Sequence, residues 1–148
     1  MKLKPLLLIL AATVLFSCNK KTDETAAIKT LLEKESATWR AGDSKAHADC
    51  WHIQPYSTIL VSTADGVTIN VPPSVMTDPP AASIGHGGNA VNSNYKMSIH
   101  DDNAWVSHNE ESTSKDGKKS YSYEIRMLEK IKGEWKLVGQ SIHLYQPK

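Results

Sequence analysis

The sequence is poor in the features that most quickly betray a function. Its 148 residues hold two cysteines and a single phenylalanine, and neither sign of charge dominates, with 17 basic and 16 acidic side chains. The longest apolar run, Leu6 to Phe16, falls short of the roughly 20 residues needed to cross a bilayer core. A membrane-spanning helix is therefore not expected. The balanced charge offers no field for nucleic acid or for an anionic membrane surface. Cysteine scarcity excludes a disulfide scaffold and a thiolate metal cage.

What is present begins with a targeting segment. Lys2 and Lys4 precede the apolar run, and small Ser17 stands before Cys18, the layout of a signal peptide over residues 1–17. Leu15-Phe16-Ser17-Cys18 resembles the lipobox of bacterial lipoproteins. That resemblance implies acylation of Cys18, an envelope location on the periplasmic face or cell surface, and a membrane partner reached through lipid. Residues 18–23 then read as the acylated cysteine and a polar tether, and residues 24–148 as one domain. Without Lys2 and Lys4 the remainder has fifteen basic against sixteen acidic side chains. Cys50 is then the only thiol, a small hydrophobe beside Trp51.

The domain opens with helical periodicity. Asp23 can cap a helix running to about Ala41, with Ile28, Leu31, Leu32, Glu35 and Trp39 on one face. Gly42 suits the left-handed position after that helix, and Asp43 can cap a second one over Ser44–Trp51. Beyond Pro55 the period changes to that of strands. Runs at Ser57–Ser62 and Val67–Val71 flank Ala64-Asp65-Gly66, a hairpin signal. Pro72–Asn94, with four prolines and three glycines, reads as one long irregular connection. It is expected to border the mouth of a cavity, with His86 and Asn89 at the entrance, and to act as a lid. Three long strands follow, Ala104–Ser112, Ser120–Ile131 and Glu134–Tyr145, preceded by a shorter one at Tyr95–His100. Along the middle of these, Tyr121, Tyr123, Ile125 and Met127 share one face, and Ser122, Glu124 and Arg126 the other.

Trp39-Arg40-Ala41-Gly42-Asp43, Asp102-Asn103-Ala104-Trp105-Val106 and Lys132-Gly133-Glu134-Trp135-Lys136-Leu137-Val138 stand in the order and spacing of three NTF2-like signatures. Across residues 24–146 the chain resembles the SnoaL-like and DUF4440-type members of that superfamily. The resemblance implies an α+β, cystatin-like cone: N-terminal helices packed on a curved antiparallel sheet of about six strands, around a cavity. Such domains include isomerases, cyclases, dehydratases, immunity factors and plain binding or dimerising modules, so the fold alone does not give an activity. The aspartate base of the ketosteroid isomerases finds no counterpart here.

Candidate chemistry is limited. His108 and Glu110 lie two apart on one strand face and can form an acid–base pair if that face lines the cavity. His143 lies in phase with Trp135 and Leu137 along the last strand and joins them as a catalytic candidate, or as a hydrogen-bonded core histidine. Arg126 can grip a carboxylate with its planar fork, or serve an ion pair on the outer face. Trp39, Tyr56, Trp105 and Tyr123 complete the expected binding set, stacking a planar ligand or filling the cone. His47 and His52 are five apart, not the four that places two ligands on one helical face, and no metal is expected. No cofactor is expected either. The expected function is binding of a small, partly apolar ligand or a partner subunit, including a second copy of the chain; the alternative is an isomerase, cyclase or hydrolase. The first and last motifs, Trp39–Asp43 and Gly133–Val138, are expected to meet.

Overall fold

In the computed structural model, which describes residues 24–147, the chain begins with helix α1, Glu24–Ala41, and a short second helix, α2, Ser44–Ala48. The Asp23 cap and the Cys18 segment lie outside the described residues. The joint between the helices is dictated locally. Gly42 adopts φ +80°, its N–H donates to Trp39 O, and the N–H of Asp43 donates to Thr38 O. These paired bonds are the Schellman termination, which a residue with a side chain resists. Asp43 Oδ1 then accepts from Ala46 N at 2.9 Å and starts α2, which ends at Ala48 rather than Trp51.

Six strands follow: β1 (Ile59–Ser62), β2 (Thr68–Val71), β3 (Asn89–His100), β4 (Asn103–Thr113), β5 (Lys119–Ile131) and β6 (Glu134–Tyr145). They form one curved sheet in the order β2-β1-β6-β5-β4-β3. The sheet is mixed, not wholly antiparallel: β1 runs parallel to β6 and every other neighbour is antiparallel. Of the two edges of the β3–β6 meander, the β1–β2 hairpin joins that of the last strand, and β3 remains an edge of the sheet.

The Pro72–Asn94 connection is shorter and more ordered than its composition suggests. It holds 3₁₀ turns at Pro73–Met76 and Ala81–Ser83, and from Asn89 onward it is strand, paired with Thr113. A register shift between Ser93 and Lys96, with Asn94 at φ 56°, separates the two halves of β3. That irregularity hides the first half from an alternation pattern.

Ile28 and Leu32 of α1 pack with Trp51, Ile59, Val106, Leu128, Trp135 and Leu137 to close the narrow end of the cone. Each such side chain contributes about 1.5–3 kcal/mol by leaving water. Of the two motifs expected to meet, Trp39–Asp43 closes α1 and packs through Trp39 against the core that holds Trp135 and Leu137 of the last hairpin. Trp135 Nε1 and Lys130 Nζ both reach Glu24, at the first turn of α1. Trp39–Asp43 lies at the other end, about 27 Å away along an 18-residue helix. There it meets the Gly85–Gly87 turn: Gly85 N donates to Trp39 O and Gly87 N to Arg40 O, at 3.0 and 2.8 Å.

Candidate functional site

Within the meander, β5 turns its polar stripe inward. On β5, Ser122, Glu124 and Arg126 are buried, whereas Tyr123 and Met127 are exposed. Glu124 is 3 % and Arg126 4 % exposed, so the aromatic stripe is the outer face and the charged stripe lines the cone. A cavity of about 440 Å³ occupies the cone, within the usual range for a small-molecule site. One wall is apolar, with Val61, Val71, Val75, Ile142 and Leu144. Beside it on the same inner face of the sheet come Glu110, Ser122, Glu124 and Arg126, Glu124 pairing in register with Ile142, and α1 contributes Arg40 and Trp39.

Arg126 anchors the polar wall. Its Nε donates to Glu124 Oε2 at 2.9 Å, its Nη2 to the same oxygen, and its Nη1 to Gln140 Oε1. Glu35 Oε2 from α1 lies 3.5 Å from Nη1. Burial alone would lower the guanidinium's pKa, but Glu124 and Glu35 outweigh it and the group is held charged. Burial would likewise raise Glu35; Arg126 and His47 reverse this and hold it below the ordinary carboxylate range. His47 is fully buried, with Nε2 3.0 Å from Glu35 Oε1 and Nδ1 2.9 Å from the Met76 carbonyl. It thereby ties α1 to the 3₁₀ turn that carries Val75 into the cavity wall.

Nearer the mouth, Glu110 accepts from Ser36 Oγ at 3.0 Å and from Arg40 Nη2 at 2.6 Å. Burial and the Glu124 charge outweigh these partners and push the Glu110 carboxyl upward. His108 lies between the two carboxylates on the same inner face, directly opposite Glu124. Its Nε2 is 3.7 Å from Glu124 Oε2, beyond hydrogen-bond reach, and neither ring nitrogen has a hydrogen-bond partner among the described residues. Burial lowers its pKa, against the pull of Glu124. The Tyr95 ring packs 5.2 Å from the imidazole.

From the expected set, Trp39, Glu110 and Arg126 line the cavity, while His108 is buried beside Glu124 on the same sheet face and is not among the lining residues. The others are elsewhere. Trp105 and Tyr123 are 48 % and 40 % exposed on the outer face. Tyr56 is exposed, and its hydroxyl donates to Glu129 Oε1 at 2.6 Å, away from the cavity. His143 is also outside, bonded through Nε2 to Ser141 Oγ at 2.9 Å. The reason is a bulge. Leu137 pairs with Leu128 and Gly139 with Met127, so Val138 is an extra residue. Trp135 and Leu137 face inward before it; Gln140, Ile142 and Leu144 do so after it, and His143 lands on the opposite side. Among the described residues no group of three or more His, Cys, Asp or Glu could hold a metal ion.

Sequence reasoning missed Glu35, Ser36, Arg40, His47, Glu124 and Gln140 as site residues. A signal existed for Glu35, a carboxylate within an otherwise apolar helical stripe, and for Glu124, which alternates in phase with Arg126. Gln140 had none, because only the bulge turns it inward.

No protein-family model matches the chain, and neither does any curated protein. Solved structures do. An NTF2-like protein from Cytophaga hutchinsonii matches over 82 % of this chain and 98 % of its own, at 20 % identity and TM-score 0.62. A cystatin-like-fold protein of unknown function from Nostoc punctiforme matches over 84 % and 92 %, at 14 % identity and TM-score 0.63. A putative scytalone dehydratase from Novosphingobium aromaticivorans matches over 83 % and 85 %, at 15 % identity and TM-score 0.63. The fold is therefore the NTF2-like, cystatin-like cone.

Proposed function

We propose that this NTF2-like cone binds a small, partly apolar molecule in its interior. One observation carries the reading: the cavity lining joins an apolar stretch, Val61, Val71, Val75, Ile142 and Leu144, to a stretch of buried, mutually paired charges. A core built only for stability gains little from such charges, because their desolvation cost offsets most of their attraction. A pocket that must orient a ligand uses a few placed polar groups among apolar ones. The finer kinship with SnoaL-like and DUF4440-type domains is part of this proposal and rests on the three sequence motifs.

The lipobox-like Ser17-Cys18 supports a lipid-anchored protein of the bacterial envelope, and the exposed aromatic outer face supports pairing with a second copy of the chain. The test of the central reading is native mass spectrometry after incubation with a library of small, partly apolar compounds that includes both acids and alcohols. Adducts are expected with the native chain and not with Ile142→Trp, which fills the cavity. No adduct, or adducts indifferent to Ile142→Trp, would remove the cavity as the site. A second reading, acid–base turnover of the bound molecule, is favoured by His108, whose buried nitrogens are unpaired beside Glu124 and Glu110. Turnover that survives His108→Gln would exclude it.

A further inference from the structure

A second cleft of about 420 Å³ opens beside the cone and shares Trp39, Arg40, Ser112 and Ser120 with it. Through these four residues the cleft borders the cone. The two differ in charge. The cone holds three carboxylates, Glu35, Glu110 and Glu124, against two guanidinium groups, Arg40 and Arg126, that pair with them. The cleft is lined by Lys118, Arg40, His86 and hydroxyls, with no carboxylate among the described lining residues. Lys118 forms no salt bridge among the described residues, although its charge acts on Asp116 at longer range. Neighbouring acids are already engaged: Glu111 pairs with Lys119, and Asp116 accepts from Ser114 Oγ. Lys115 adds charge at the rim, its methylenes lying against Gly87 where any Cβ would collide with them.

Hydroxyl protons are available in the same place. Arg40 Nη2 donates to Ser112 Oγ at 2.8 Å, so that oxygen is an acceptor there and its own proton can be donated elsewhere. Arg40 itself is spent on Glu110, Ser36 and Ser112. The charges here without an ion pair among the described residues are therefore those of Lys118, in the cleft lining with Ser112 and Ser120, and of Lys115 at its rim.

We infer that the molecule bound in the cone carries a carboxylate, held in the cleft by Lys118 with Ser112 and Ser120, while its apolar body lies inward against Val61, Val71, Ile142 and Leu144. This rests on the cavity reading above and adds orientation and charge to it. In the interior Arg40 and Arg126 are already taken by Glu110, Glu124 and Glu35, which leaves no unpaired cation there for an anion among the described residues. Lys118, in the cleft, forms no such salt bridge, so the carboxylate-out orientation is the favourable one. The backbone of the Gly85–Gly87 turn does not contribute, since the Gly85 and Gly87 amides are bonded to Trp39 O and Arg40 O. That favours a carboxylate over a phosphate, which calls for a cradle of free amides.

The test uses acid and alcohol partners of one skeleton: 3-phenylpropionate with 3-phenylpropan-1-ol, and hexanoate with hexan-1-ol, titrated by NMR. The acid of each pair is expected to bind about tenfold more tightly, as one charge-assisted contact confers. Lys118→Gln should abolish that preference while leaving alcohol binding intact, Lys118→Arg should retain it, and added salt should weaken the acid alone. Alcohols binding as well as acids, or an acid preference untouched by Lys118→Gln, would overturn the inference and leave the cavity reading standing. Failure of all four probes to bind would overturn both.

Discussion

At the residue scale, the inward-facing charges make stability depend on pH from two sides. His108 is held below its ordinary value by burial, so the fold favours the neutral ring. Its contribution is whole above about pH 6.5 and is lost as pH falls toward the depressed value. Glu110 has the opposite sign. Burial and Glu124 raise it, the fold favours the protonated carboxyl, and its contribution is present below about pH 4.3 and lost as pH climbs through the raised value. Urea titrations across pH should show His108→Gln flattening the slope just below pH 6.5. Glu110→Gln should remove a loss that sets in above pH 4.3. Unchanged slopes in both variants would mean these groups are solvated, contrary to their burial.

At the scale of elements, the decisive joint is where the end of α1 meets the Gly85–Gly87 turn. Gly42 sits at φ +80°, and a Cβ placed there would lie 3.0 Å from the Cα of Gly85. Gly42→Ala would therefore combine left-handed strain with a backbone clash, and should cost more than about 1 kcal/mol by thermal or chemical unfolding. The joint also bears on the segment expected to act as a lid. The amides of Gly85 and Gly87 donate to α1 carbonyls, and Met76 of the first 3₁₀ turn is buried against His47 and Gln140. Amide exchange at Gly85 and Gly87 should accelerate in Gly42→Ala while β5 stays protected. Equal acceleration throughout would show global loosening instead of release of this turn.

For the whole molecule, two surfaces remain to be accounted for. Trp105, Tyr123, Met127 and Tyr145 expose more than a third of their surface on one side of the sheet. If that face pairs with a second copy, Trp105→Lys combined with Tyr123→Lys should convert a dimer to a monomer in sedimentation velocity. The stability cost should be small, since neither side chain is in the core. A wild-type monomer at all accessible concentrations would refute the pairing. The other is the membrane surface that the proposed acylation of Cys18 would engage. Two acyl chains there would anchor the protein firmly, at about 0.8 kcal/mol per methylene. Cys18→Ser should therefore shift the protein from the pelleted membrane fraction to the soluble one. A mutant that still pellets would show that the anchor is not on this cysteine.

Much of this protein was legible in one dimension because the governing interactions are local. The Gly42 termination, the Asp43 cap, the Gly66 and Lys132-Gly133 turns and the strand alternation each depend on residues a few positions apart, and the structure has them where the pattern puts them. Alternation also showed that Tyr123 and Glu124 face opposite ways. It could not show which side is inside, because both outcomes have the same period of two. Tertiary structure decided that, by closing the cone with α1 over the polar stripe and matching Arg126 to Glu35, a partner 91 positions away in the chain. It also inserted Val138 as an unpaired residue, which put Gln140 in the cavity and His143 outside. Neither choice has a local signature. The first depends on which charges find partners when distant elements pack, and the second on a strand pairing that no short window of sequence contains.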